Sequence, residues 1–214
     1  MRIALIHALA HSVAPINAVM AQQWPEAVCM NLLDDSLSAD LARGGKGLDA
    51  AMHQRFMDLA SYAVGTGAHG VLFTCSAFGP CIDAVKANWP SMPVLKPNEA
   101  MISQAEALGV RVGLIASFAG TLKTMPDEFS PNTALDTQLV EAALDALNQG
   151  EVERHDALVL EAAHQLIARG AQAIALAQFS MARAATLLRQ ELSVPILTTP
   201  DSAVAALRSA LVRA

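Results

Sequence analysis

The chain has 214 residues, of which 53% are hydrophobic and 16% are charged, and its formal net charge is −6. This length and composition predict a globular protein with a sizeable core and exclude a disordered chain. The acidic balance, without a basic stripe interleaved with aromatic residues, argues against a nucleic-acid partner. No apolar run reaches the roughly 18 residues of a membrane span, so we expect no membrane partner either.

The number and spacing of the cysteines and histidines limit which disulfides and metal sites the chain can form. The three cysteines are odd in number and lack a framework spacing, which favours free thiols, a reducing compartment and a cytoplasmic location. The six histidines show no zinc-ligand spacing, so we predict no metal. Residues 1–14 have the arginine and apolar run of a signal peptide, but His7 interrupts the run and a similar segment recurs in mid-chain. We therefore expect a strand there.

Short, nearly continuous apolar runs alternate with longer segments of helical period along the chain. Such runs are typical of parallel strands that helices cover on both faces, so the pattern predicts an α/β fold with right-handed crossovers. The predicted strands are 2–6, 70–74, 93–95, 111–116, 172–177 and 194–198. The predicted helices are 48–65, 80–88, 99–108, 135–147, 154–169, 181–191 and 201–213.

Two segments, 25–47 and 117–133, lack a clear period and are predicted to be long loops. Long polar loops in a compact fold usually carry function or move. The first contains a glycine-rich run at residues 44–47, but the Walker spacing of a phosphate-binding loop is absent.

The two halves of the chain repeat the same succession of motifs. "RIALIHALA" from residue 2 resembles "RVGLIASFA" from residue 111, and "GAHGVLFTCSA" from residue 67 resembles "GAQAIALAQFS" from residue 170. We infer an internal duplication and predict two pseudo-symmetric lobes, each a short parallel sheet flanked by helices. Residues 1–97 with 201–214 would form the first lobe and 98–200 the second. The repeat places Cys75 opposite Gln178.

Cys75 ends a predicted strand, shortly before a helix start near Pro80. In open parallel sheets, ligands bind beyond the carboxyl ends of the strands. A helix N-terminus offers free N–H groups and a partial positive charge, which favour a bound carboxylate and lower the pKa of a thiol. We therefore expect Cys75 to supply a thiolate near neutral pH, with Ser76 and Ala77 leaving the backbone open to a ligand. The alternative is a small buried apolar residue, as most free cysteines are.

Two further side chains end predicted strands. His7 follows the first strand, where it would either border the ligand site or bond to the backbone. Lys96 follows strand 93–95 and would either supply a positive charge to an acidic substrate or be solvated.

These motifs resemble those of the aspartate/glutamate/hydantoin racemase superfamily over nearly the whole chain. "TCSAFGPCIDA" around Cys75 is similar to the first cysteine motif of that family, and "GAQAIALAQFSMA" is similar to the second. The resemblance implies two facing lobes with an active site between them, where two cysteines move a proton alpha to a carboxylate on opposite faces. It also implies no cofactor, a small carboxylate as substrate and, as is common in the family, a homodimer.

The sequence departs from the family at the second cysteine, where it has Gln178. Glutamine has no useful pKa, so it would line the opposite wall and orient the substrate. Either His7 or an activated Ser180 would then be the second acid or base, or the reaction needs one proton-handling residue. The resemblance assigns carboxylate binding to Ser117 and Thr121. The predicted substrate-binding residues are Ser76, Ala77, Lys96, Ser117, Thr121, Phe179 and Ser180.

The resulting hypothesis is a cofactor-independent isomerase or racemase acting alpha to a carboxylate or carbonyl of an amino acid, hydantoin or related small acid. Cys75 would be its base or nucleophile. Three alternatives stay open. Decarboxylation of a malonate-like acid needs a proton donor on only one face of the carbanion, and arylmalonate decarboxylases resemble this fold. Maleate isomerases, in which the first cysteine attacks a double bond, resemble it too. A non-catalytic protein that binds small carboxylates would also lack a catalytic cysteine.

Overall fold

The computed structural model describes residues 1–43 and 47–212. Two sequence predictions fall partly outside these ranges. One is the glycine-rich run at 44–47, and the other is the end of the C-terminal segment 201–214.

The first lobe is a four-stranded, fully parallel sheet with the strand order β2-β1-β3-β4. Helices cover both of its faces, as the continuous apolar runs of its central strands require. Its strands are β1 (Arg2–His7), β2 (Val28–Leu33), β3 (Gly70–Phe73) and β4 (Val94–Leu95). Its helices are α1 (Val13–Gln23), α2 (Ser36–Arg43), α3 (Ala50–Gly65) and α4 (Gly79–Asn88).

The second lobe repeats this plan with the strand order β6-β5-β7-β8, again all parallel. The predicted α/β fold with two similar lobes is therefore confirmed. Its strands are β5 (Val112–Ala116), β6 (Leu135–Leu139), β7 (Ala173–Leu176) and β8 (Ile196–Thr198). The remaining helices are α5 (Glu99–Ala107), α6 (Ala119–Thr124), α7 (Glu141–Asn148), α8 (Val152–Ala168), α9 (Ala185–Glu191) and α10 (Thr199–Val212).

Each sheet has one strand more than the sequence predicted. β2 lies in the predicted loop 25–47, and β6 lies in the predicted helix 135–147. Both are edge strands with partly exposed side chains, so neither has the continuous apolar run that marks a central strand. The predicted loops were also wrong where α2 and α6 form, because these helices are short and rich in small or polar residues.

The core lies on both faces of each sheet. In the first lobe, Ile6 and Phe73 pack toward α3 and α4, whereas Leu5 and Leu72 pack toward α1. Helix α10 returns from the second lobe and adds Leu207 to that second layer. The C-terminal helix therefore covers the sheet that the N-terminal strand begins.

The carboxyl ends of corresponding strands carry corresponding turns. A 3₁₀ turn, Ser76–Phe78, follows β3, and another, Phe179–Ala184, follows β7. Helix α6 of the second lobe packs on the first of these turns, and α1 of the first lobe packs on the second. The two lobes thus meet through two pseudo-equivalent contacts.

None of the helices in the described ranges is long and apolar enough to span a bilayer.

Candidate active site

Cys75 lies directly after β3, where extended backbone (φ −119°, ψ 120°) turns into the 3₁₀ turn. Its side chain is half-buried, and its Sγ lies 4.0 Å from the Ser38 hydroxyl of α2. The N–H of Ala77 also donates to the sulfur. The end of a parallel strand therefore presents the thiol to a hydroxyl and to a backbone donor.

Burial raises the pKa of the Cys75 thiol above its ordinary value, although hydrogen bonds from Ala77 and Ser38 oppose this shift. The expectation of a thiolate near neutral pH was therefore wrong for the free protein. Desolvation of a charge outweighs two donors at this position. In the free protein the Cys75 side chain is therefore a neutral thiol. It can donate its proton directly, but it must lose that proton before it can act as a base.

Gln178 occupies the equivalent position after β7, with a similar extended backbone (φ −134°, ψ 145°). Its Oε1 accepts from the N–H of Ser117 at 2.6 Å and from the Ser117 hydroxyl at 3.1 Å. Within residues 1–43 and 47–212, the Gln178 side chain makes these hydrogen bonds through Oε1 alone, and its Nε2 donates none. The amide is therefore oriented, with its donor end left for another group, while the Ser117 hydroxyl is already engaged.

A hydrogen bond crosses between the lobes beside Cys75. The hydroxyls of Ser76 and Thr121 lie 2.9 Å apart, and both side chains are buried. The Thr124 hydroxyl also donates to the Ser76 carbonyl at 3.4 Å. The structure therefore brings Ser76 and Thr121 together next to the thiol, with α6 as the element that links them.

His7 is fully buried, and both of its ring nitrogens are engaged. Nδ1 accepts from the Thr74 hydroxyl at 2.8 Å, and Nε2–H donates to Asn31 Oδ1 at 2.9 Å. Burial lowers the pKa of His7, and the bond to Asn31 opposes that effect only in part. His7 alternates with Ile6 along β1, so its ring faces α1, whereas Cys75 contacts α2 on the other face. The structure therefore does not bring the His7 ring to the thiol.

Phe179 is fully buried and joins the apolar layer of the first lobe, with Leu5, Ile16 and Leu207. A side chain from the second lobe therefore completes the core of the first. In this position it offers no accessible surface to a ligand, contrary to the sequence expectation that it binds substrate.

Lys96 follows β4 and is held by carboxylates. Its Nζ lies 3.2 Å from Asp83 and 3.8 Å from Glu128 of the second lobe. Burial opposes the charge of Lys96, but these carboxylates outweigh it and raise the pKa of the ammonium group. A substrate carboxylate would have to compete with both.

Two clefts run between the lobes, one beside each 3₁₀ turn. The Ala77 cleft, of about 640 Å³, is lined by Ala77, Phe118, Lys123 and Glu141 among others. The Ser180 cleft, of about 520 Å³, is lined by residues of α1 and of the turn after β7. The repeat equates Ala77 with Ser180. The structure therefore places these two predicted residues in separate clefts.

Ser38 is a residue that the sequence prediction missed. It lies in the segment 25–47, for which the sequence predicts a loop, so the sequence does not indicate that its hydroxyl approaches Cys75. The signal was present in the spacing of Leu37 and Leu41, which places apolar side chains on one face of a helix. No three His, Cys, Asp or Glu side chains converge as a metal site in the described ranges.

Comparison with known proteins adds an independent finding. The family model described as Asp/Glu/Hydantoin racemase matches residues 10–207. A search among curated proteins found no sequence match.

Solved structures with the same fold include two racemases and a decarboxylase. Glutamate racemase from Francisella tularensis has a TM-score of 0.74 at 18% identity, with 99% of this chain and 81% of that chain covered. Allantoin racemase from Klebsiella pneumoniae has a TM-score of 0.73 at 21% identity, covering 100% and 88%. A mutant of arylmalonate decarboxylase has a TM-score of 0.62 at 18% identity, covering 97% and 92%. The family match spans nearly all of the sequence, and this chain therefore belongs to the Asp/Glu/hydantoin racemase family.

Proposed function

We propose that the protein is a cofactor-independent isomerase that moves a proton at the carbon alpha to a carboxylate or carbonyl of a small acid, with Cys75 as the proton-transfer residue. The placement of Cys75 carries this proposal. It lies at a strand end, beside a contact between the lobes, within reach of two hydrogen-bond donors. Cys81 is fully buried inside α4, and Cys29 lies on the edge strand β2, so neither is placed for this role.

Gln178 supports a one-thiol mechanism. Its amide cannot take up or release a proton near neutral pH, so it does not replace a second cysteine. Because Ser117 fixes Oε1, the Nε2 group is left as a donor toward a substrate oxygen. Hydrogen bonds of this kind stabilise the negative charge that develops when the alpha proton leaves. The buried Ser76 and Thr121 hydroxyls bond to each other, and we propose that they hold the turn after β3 in place beside the substrate.

Decarboxylation of a malonate-like acid is the second candidate, and the raised pKa of Cys75 favours it. Loss of carbon dioxide generates the carbanion without a base, and a neutral thiol then donates its proton to one face. The reaction ends with a thiolate that regains a proton from water. The two candidates therefore differ in which form of Cys75 must be present when the reaction starts.

Proton NMR in heavy water tests both candidates. Amino acids, hydantoins, hydroxy acids and aryl- or alkylmalonates are incubated with the wild-type protein and with Cys75→Ser. We expect an alpha-proton signal to disappear, or a malonate to lose carbon dioxide, in a Cys75-dependent manner. An unchanged spectrum across the panel, together with saturable stabilisation by one of the acids, would instead favour a binding protein.

A further inference from the structure

The Ser180 cleft has one apolar wall and one basic wall. Ala14 and Val19 of α1, with Leu147 of α7, form the apolar side. Arg183 and Arg189, which follow β7, line the other side. α1 belongs to the first lobe and the arginines to the second, so any ligand in this cleft contacts both lobes.

The lining of this cleft includes a buried hydroxyl without a partner. Ser180 lines the cleft and is 1% exposed, and its Oγ has no hydrogen-bond partner in the described part of the chain. Nearby, His155 bonds to Asp156 through Nδ1 at 2.7 Å, and its buried Nε2 is also without a partner there. Buried polar atoms usually have partners, and Ser180 lines the cleft whereas His155 does not, so the unpaired Ser180 hydroxyl is the atom that indicates a polar ligand there.

Two arginines and one aspartate line the cleft, so its charged lining has one more positive than negative group. Asp201 already accepts from the Thr198 hydroxyl at 2.6 Å and from Gln23 at 3.2 Å, so its carboxylate is satisfied. Arg189 is less well held. Its contacts to Asp201 and to the Ile196 carbonyl are 3.5 Å and 3.4 Å long, and half of its side chain is exposed.

Arg183 is partly neutralised but keeps donors to offer. Its Nε donates to Asp156 at 3.0 Å, while its Nη2 reaches the same carboxylate at 3.5 Å. A guanidinium has five N–H donors, so this ion pair leaves some of them for a second acceptor. The two arginines therefore have N–H groups free for a ligand, whereas the carboxylates of Asp156 and Asp201 already have hydrogen-bond partners.

We propose that the Ser180 cleft binds a small organic acid with an apolar body. Its carboxylate contacts Arg183, Arg189 and the Ser180 hydroxyl, and its apolar part packs on α1 and Leu147. This site is separate from the proposed chemistry, because neither Cys75 nor Gln178 lines the Ser180 cleft. The pseudo-equivalent Ala77 cleft has a different charge pattern, because one lysine, Lys123, and one glutamate, Glu141, line it.

Calorimetric titration with phenylacetate tests this proposal, with phenylacetamide as the neutral analogue at equal ionic strength. We expect saturable binding of phenylacetate and an affinity at least about tenfold lower for phenylacetamide, since an arginine–carboxylate bond is worth about that factor. Arg189→Gln should weaken phenylacetate binding by a similar factor. Lys123→Gln, the matched loss of one positive charge in the Ala77 cleft, should leave it unchanged.

Ser180→Ala provides a second variant that removes one atom, and it should also weaken binding. Three outcomes would overturn the proposal: no saturable binding, equal binding of phenylacetamide, or a loss in Lys123→Gln with none in Arg189→Gln. Cys75→Ser separates this site from the proposed function, because it should abolish turnover and leave phenylacetate binding intact.

Discussion

The turns after β3 and β7 are built alike, yet they differ in what they place at the lobe contacts. After β3 come a thiol and then a hydroxyl, Cys75 and Ser76, and the contact to the other lobe is a hydrogen bond. After β7 come an amide and then an aromatic ring, Gln178 and Phe179, and the contact is apolar packing. The inferred duplication thus supplied two equivalent positions, of which one is proposed to carry proton chemistry and the other to orient the substrate.

The largest expected effect is on turnover at the β3 turn. Cys75→Ser should lower the rate of alpha-proton exchange by about 10²- to 10⁴-fold, because a serine hydroxyl is far less acidic than a thiol. The measurement is loss of the alpha-proton signal in heavy water. Cys29→Ser is the matched control, and an equal loss in that variant would contradict the assignment.

Phe179→Ala should destabilise the protein by about 3–5 kcal/mol, since it opens a cavity in the apolar layer that joins the lobes. Urea unfolding followed by circular dichroism measures this change. A loss under about 1 kcal/mol would show that the ring is not an anchor of the first lobe.

The pH profile separates the two forms of the Cys75 side chain. Because its pKa is raised above the ordinary 9.0, the folded protein holds a neutral thiol throughout the neutral range. A reaction that needs the thiolate should accelerate about tenfold per pH unit up to that pKa, whereas one that needs the thiol should be level and then fall above it. The rate is followed from pH 6 to pH 10, and an identical rate and profile in the Cys75→Ser variant would remove Cys75 from the rate-limiting step.

Gln178→Cys makes the two turns chemically alike. We expect exchange to increase and to reach both faces of the substrate, because a second acid or base then stands at the equivalent position. Chiral chromatography of the product follows the change. Gln178→Ala is the control, and a gain equal to that of Gln178→Cys would mean that removing the amide, rather than adding a thiol, is responsible.

The smallest effect is expected for Thr121→Val, which removes the hydrogen bond to Ser76 while keeping the shape of the side chain. Loss of one such bond should cost about 1 kcal/mol, well under the effect at Phe179. The same urea titration compares the two contacts, and equal losses would contradict the difference described above.

The positions of Cys75 and Gln178 could be predicted because the repeat and the continuous strands are visible in the sequence. The pKa of Cys75 could not, because burial of the thiol depends on α2, which lies in a segment without clear periodicity. His7 was correctly placed at a strand end, but the direction of its ring follows from alternation along β1 relative to β3. The edge strands β2 and β6 were missed because half-exposed side chains weaken the apolar signal.

Helix α10 also has a consequence for synthesis of the chain on the ribosome. The first sheet and α1 are made early, but the layer over Ile3, Leu5 and Leu72 stays incomplete until α10 has emerged behind the entire second lobe. The second lobe is contiguous in sequence. Its sheet can therefore form before α10 completes the apolar layer over the first sheet. We therefore predict that the second lobe completes its fold before the first, the reverse of the usual order in which N-terminal units finish first.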